Sequence, residues 1–303
     1  MSLYAFIGAL ETGLVFALVA LGSYLTFRVL DFPDLTVEGS FPLGAAVAAK
    51  LMVAGLDPWS ASLAGAVAGG VAGLVTAFLN IRLGILHILS GILTSIALYS
   101  VNLRIMAGPN IPLLNVDTVF SLSDRLGIPS RYAQIAVLVV IVVAAKTALD
   151  ASLGTGFGLA MRAAGANPRM ARANGVDVDR MTTIGLAAAN ALTGLAGALF
   201  AQMLGAADAS MGLGVIVVAL AAVIGGTALM PSRRVAMLTL ACVLGSVCYR
   251  LVLALALNSE VFGLTASDVN LVTAILVAVA LFAPGRRRRP RAPRPAPSAR
   301  AAR

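Results

Sequence analysis

The chain has 303 residues, of which 59% are hydrophobic and only 12% charged, whereas a soluble domain carries about 25% charged residues; its mean hydropathy is +0.95. These values exclude a water-soluble globule, and the long, evenly spaced apolar runs fit one all-α, polytopic membrane domain better than the two soluble domains that length alone suggests. The formal net charge of +9 does not indicate nucleic acid, because about a third of the Lys and Arg lie after Gly285 and most of the others flank apolar runs, the distribution that orients a chain in a bilayer.

Runs long enough to cross a membrane lie near residues 4–27, 58–80, 84–105, 132–149, 182–204, 212–230, 234–257 and 268–284. The N-terminus opens Met-Ser-Leu-Tyr without a basic region or cleavage site, so the first run is expected to stay in the membrane rather than leave as a signal peptide. Glu11 lies inside that run, either as a pathway residue or as a carboxylate reaching head-group water. Asp34, Thr36, Glu38 and Ser40 form a polar stretch ahead of a short apolar segment, 40–54, that contains Pro42 and Lys50. That segment is a full span, a broken helix or a re-entrant element. If it is broken, its N-terminus points N–H groups into a cavity and suits an anionic group; otherwise the polar stretch is a loop with a helix cap at Ser40. Counting it gives about nine spans, within a range of 8–10.

With nine spans the N-terminus is outside and the C-terminus cytoplasmic. Arg28, Arg82, Lys146, Arg162, Arg169, Arg172, Arg180, Arg233 and Arg234 then share the cytoplasmic side, while Asp57, Asp208, Glu260 and Asp268 face outward with Lys50, Arg104, Arg125 and Arg131. Trp59 and Tyr132 begin spans on the outer side, as interfacial aromatics do. Gly65, Gly69 and Gly73 repeat at helical spacing and predict close helix packing, more readily within one subunit than between two. His87, the only histidine, reads as a packing residue inside the fourth span. Asn102 lies at the outer end of that span, ahead of a loop with Pro109, Asn110, Pro112 and Asn115 that is long enough to receive another protein. Asn190, in the middle of a later span near Thr183 and Thr193, either bonds across helices or lines a pathway. Cys242 and Cys248 share one apolar segment and build no disulfide framework. The domain organisation read from this is a membrane domain over 1–285 and an Arg/Pro-rich tail over 286–303, too polar to fold and suited to anionic lipid.

The connection over residues 150–180 is basic and patterned. Leu159, Arg162 and Ala163 open a helical pattern, Ala164 to Pro168 predicts a turn, and a second short helix from Pro168 ends at Gly175. The string from Met161 to Gly175, MRAAGANPRMARANG, resembles the R-A-x-G-x-N-P-x-x-A-x-x-x-G loop of ABC importer permeases of the branched-chain amino acid and ribose group. Arg162, Gly165, Asn167, Pro168, Ala171 and Gly175 match it, and Ala219 to Thr227 is similar to the small-residue segment that follows in the same group. Phe32 to Phe41 and Gly91 to Met106 look like the branch that serves tryptophan-type and other small solutes.

The resemblance implies an ABC permease fold in a bacterial-type inner membrane, with that loop as the contact for a separate ATPase. It further implies a solute-binding protein on the outer face, a second permease copy, and ATP and Mg²⁺ held by the ATPase, with no cofactor in this chain. The chain has no Gly-rich phosphate loop of the Walker type, consistent with a motor on another polypeptide. Glu11, Asp34, Thr36, Glu38, Ser40, Asn102 and Asn190 are the candidate pathway residues. The competing reading is an ion-coupled secondary carrier, which needs intramembrane carboxylates that are scarce here; an intramembrane enzyme would need a cluster of catalytic side chains, and none is evident.

Overall fold

The computed structural model describes residues 3–121, 130–232 and 234–257. The expected span at 268–284, the tail over 286–303, the 285/286 boundary, Arg125, Arg233, Glu260 and Asp268 lie outside the described residues. Helix α1 (Leu3–Ser23) runs on into a π-helical turn, Tyr24–Val29. The widened turn closes where the Leu30 N–H donates to Leu25 O and that of Phe32 to Thr26 O. Asp31 then adopts a left-handed φ of +54°, and an extended stretch leads to α2 (Val37–Val53). The helix starts three residues ahead of the expected Ser40, because the Asp34 carboxylate accepts from Thr36 N–H at 2.9 Å and sets the first turn.

At 17 residues, α2 is about 25 Å long and falls short of a hydrocarbon core about 30 Å thick. Its base lies deep in the protein, since Ser40 bonds to Asn190, near the middle of the 27-residue α8 (Val178–Leu204). The segment is therefore a partial span preceded by buried extended backbone, and Thr36, Val37 and Ser40 at its base are all buried. Extended backbone is tolerated at that depth where protein, rather than lipid, surrounds it.

Helix α3 (Pro58–Ile81) starts where Asp57 accepts from the N–H groups of Trp59 and Ser60 and Pro58 occupies the first helical position. Its glycines meet helices of the same chain: a Cβ at Gly65 would lie 2.7 Å from Gly44 O of α2, and Cβ atoms at Gly69 and Gly73 would collide with Asn190 O and Leu186 O of α8. Helix α4 (His87–Met106) begins three residues later than the expected 84, after Gly84 at φ +67°. His87 is exposed at its first position, not buried within a span, and its ring packs on that of Phe32 at 4.5 Å. The chain then forms β1 (Asn110–Pro112), which pairs antiparallel with β2 (Ala206–Asp208), Ile111 facing Ala207. This ribbon is the departure from an all-α reading. The loop behind it is tied down by Gln202, which accepts from Val119 N–H at 2.9 Å and donates to Ser62 Oγ at 2.7 Å.

Helix α5 (Ser130–Gly154) passes the expected end at residue 149 because Lys146 pairs with Asp150 one turn on and Thr239 donates to Asp150 at 2.6 Å, so the polar residues are accommodated. Two short helices, α6 (Gly156–Ala166) and α7 (Pro168–Ala173), precede α8. Helix α9 (Val215–Leu229) has 15 residues, about 22 Å, and α10 (Val235–Leu257) packs along it through Gly226 and Gly245. Six helices among the described residues are long and apolar enough to cross a membrane. Helices α1, α2 and α8 form the centre, with Phe16, Phe41 and Phe200 in mutual ring contact at 5.5–5.7 Å, while α4 and α5 present mostly exposed apolar side chains at the rim.

Candidate transport site and coupling loop

Four of the predicted pathway residues meet at the base of α2. Asn190 donates from Nδ2 to Asp34 Oδ2 at 2.7 Å and to Leu186 O at 3.0 Å, and its Oδ1 accepts from Ser40 Oγ at 2.7 Å. Thr36 Oγ1 lies 2.6 Å from Thr76 Oγ1, which donates to Thr94 Oγ1 at 2.9 Å; Thr94 donates to Ser90 O. These hydroxyls form a buried hydrogen-bonded chain from α2 through α3 to α4. All these side chains are buried. A buried carboxylate without a cation is costly unless its oxygens are satisfied. Asp34 makes no ion pair among the described residues, and N–H donors fill the role. The acceptor for the N–H groups at the base of α2 is thus the chain's own Asp34 side chain. Thr76 and Thr94, which complete the chain, carry no sequence signal, because a lone Thr in an apolar helix reads as packing.

Glu38 sits on the first turn of α2 and is partly accessible. Its carbonyl oxygen is the one to which Pro42 has no N–H to donate, and Gly212, just before α9, packs against it so closely that a Cβ there would collide. Asn102 is fully buried on α4 and donates from Nδ2 to Gly39 O at 3.4 Å. Glu11 lies apart: it is buried in α1, near Gly13, which packs against Val247 of α10. A groove of about 490 Å³ between α3 and α8, lined by Val71, Leu74, Phe78, Arg82 and Thr183, is largely apolar and separate from this polar cluster.

The α6–α7 connection differs from the expected helix–turn–helix in one respect. Helix α6 starts at Gly156, where Thr155 caps it, and continues through Gly165 to Ala166, so the break is the single residue Asn167. Pro168 drives the preceding residue to extended backbone, and Asn167 caps α7 by accepting from Met170 N–H at 3.1 Å. Gly165 is needed for contact rather than for a turn, since a Cβ would strike Val29 O at the end of α1. Ala171 is buried against the core, Arg162 is half-buried, and Gly175 (φ +81°) closes α7. The loop's matching residues are therefore mostly its internal architecture. Its outer surface carries Leu159, Arg169, Met170 and Arg172, with Met170 65% exposed, and Arg172 pairs with Asp179 at 2.8 Å to fix α7 on α8.

A family profile described as the permease component of branched-chain amino acid transport systems matches residues 6–283. The chain belongs to this permease family. The permease is 34% identical over 279 residues to the tyrosine transport system permease protein of Clostridioides difficile (strain R20291), covering 92% of this chain and 90% of the relative. It is 28% identical over 218 residues to the D-allose transport system permease protein AlsC of Escherichia coli (strain K12), covering 70% and 64%. Among solved structures it resembles an ABC transporter chain in an inward-facing conformation, with a TM-score of 0.52 and 14% identity over 93% of this chain and 84% of that one, a likeness of fold. The permease is accordingly a multi-pass membrane subunit of a transport system, and an ion-coupled carrier is not favoured.

Proposed function

We propose that the permease imports an amino acid or a related small solute, handed over by its receptor at the β-ribbon end and driven by an ATPase that holds ATP and Mg²⁺ and docks on α6–α7. The N-terminus is then outside, the C-terminus cytoplasmic, and two permease copies form the pathway, with the basic tail against anionic lipid. The amino-acid class is supported by the tyrosine permease relative. The observation that carries the coupling role is the exposed face of α6–α7, where Leu159 and Met170 stand out beside Arg169 and Arg172. Exposed apolar side chains among arginines suit a protein partner.

The path from that face inward is short. Gly165 of α6 lies against Val29 and Leu30, and Gly185 of α8 lies against Leu30. From Leu30 the chain runs through Asp31 and Phe32 to Asp34 and the base of α2. A displacement of α6 by the motor is thereby passed to α2, the kind of rigid contact that coupling between two global states requires. Replacing Met170 with Glu tests the docking role: the variant should insert and fold, yet lose ATPase co-purification and uptake. Retention of both would overturn it.

A further inference from the structure

Helices α3 and α8 cross through glycine and then part to leave a groove. Their antiparallel register runs from Gly65 beside Ala198 to Gly69 beside Asn190 and Gly73 beside Leu186, where a Cβ would lie 2.3 Å from the carbonyl oxygen. Beyond Gly73, toward the α6–α7 end, α3 contributes Leu74, Val75 and Phe78 and α8 contributes Thr183 to a cavity of about 490 Å³. That is room for a ligand segment of small-molecule size. The groove follows the outside of the membrane span Pro58–Ile81, with Phe78 56% exposed. Its length from Val71 to Arg82 is about 16 Å along the helix, close to half of a hydrocarbon core about 30 Å thick.

The two ends of the groove differ in chemistry. Of its lining side chains only Arg82 has N–H donors to offer, because Thr183 spends its hydroxyl proton on Asp179 O at 2.8 Å and the rest are hydrocarbon. Arg82 is exposed at the last turn of α3 and forms no ion pair among the described residues. Arg180, one turn before Thr183 on the same face of α8, is exposed as well, while the neighbouring carboxylate of Asp179 is engaged by Arg172. Positive charge therefore stands at the mouth of an apolar channel one leaflet deep. A water-borne solute finds almost no polar partners along such a wall, whereas a lipid is matched at both ends, its chain by hydrocarbon and its phosphate by guanidinium.

We infer that this groove is a binding site for one anionic glycerophospholipid. An acyl chain lies along Leu74, Val75 and Phe78, the phosphate oxygens accept from the Arg82 guanidinium, and Arg180 favours a headgroup with net negative charge. The site is independent of the solute and of the direction in which it is moved.

The test titrates the complete transporter, purified in detergent, with dioleoyl phosphatidylglycerol and dioleoyl phosphatidylcholine and counts bound lipid by native mass spectrometry. Arg82→Gln should weaken phosphatidylglycerol binding about fivefold relative to phosphatidylcholine. Arg104→Gln, at an exposed arginine near the opposite end of α4, should change neither. Val75→Trp fills the groove and should weaken both lipids, and glycerol phosphate, which carries the anion without a chain, should not compete at equal concentration. Equal effects of Arg82→Gln and Arg104→Gln, wild-type binding by Val75→Trp, or competition by glycerol phosphate each overturn the inference. A disulfide joining two copies of Phe78→Cys in the membrane would seat a second permease on the groove and overturns it too. All these side chains are exposed, so the variants are expected to fold; should Arg82→Gln fail to, Val75→Trp decides alone.

Discussion

Asn190, in the middle of α8, donates its side-chain amide to the Asp34 carboxylate at 2.7 Å, joining two residues 156 positions apart in sequence. The bond anchors the extended stretch that precedes α2, and Asn190 is itself held by Ser40 and Leu186. Asp34→Asn would turn an acceptor into a donor facing another donor, and Asn190→Asp would oppose two carboxylates. Each single change should cost about 1–3 kcal/mol and depress uptake. The exchange Asp34→Asn with Asn190→Asp restores a donor–acceptor pair and should recover part of both. Thermal unfolding of the purified complex in a double-mutant cycle measures the coupling.

The hydroxyl chain from Thr36 to Thr94 makes Thr76 the central partner. Thr76→Val keeps the shape and deprives the Thr36 and Thr94 hydroxyls of their shared partner, for an expected loss of about 1–2 kcal/mol. Thr76→Ser retains the hydroxyl and should fall much less in the same thermal assay.

Gly165 is placed by contact with Val29 and Leu30. Even Gly165→Ala must push α6 away from the end of α1, at about 1–3 kcal/mol for overpacking. If α6 transmits motor movement through this contact, the variant should hydrolyse ATP with fewer solute molecules moved per ATP. Comparing hydrolysis and uptake rates on one preparation checks this.

Adjacent glycines of α3 should respond oppositely. A Cβ at Gly69 would collide with Asn190 O, whereas at Gly70 it would lie 3.4 Å from Ala187 O, an ordinary contact. Gly69→Ala is expected to lower thermal stability by at least about 1 kcal/mol, and Gly70→Ala to leave it unchanged or raise it by up to about 1 kcal/mol. Parallel melting curves distinguish the two.

What the sequence determined by itself is what local chemistry controls. Apolar length located α1, α3, α4, α5, α8 and α10, with ends shifted where caps or ion pairs such as Lys146–Asp150 extend a helix. Asn167–Pro168 and Gly175 are legible as a helix start and stop because each acts within a few residues. The matching positions of the 161–175 string located the loop, though not its outward face, since Met170 and Leu159 are ordinary hydrophobic residues until burial distinguishes exposed from packed. The depth of α2, the partners of Gly65, Gly69 and Gly73, the β1–β2 ribbon and the Asp34–Asn190 bond were decided only by the tertiary structure. Each joins segments distant in the chain, and a polar residue in an apolar run has the same sequence signature whether it faces a partner, a pathway or lipid head groups. The polar run from Asp34 to Ser40 is the clearest case: composition marked it as unusual, and packing separated the enclosed carboxylate of Asp34 from the accessible one of Glu38.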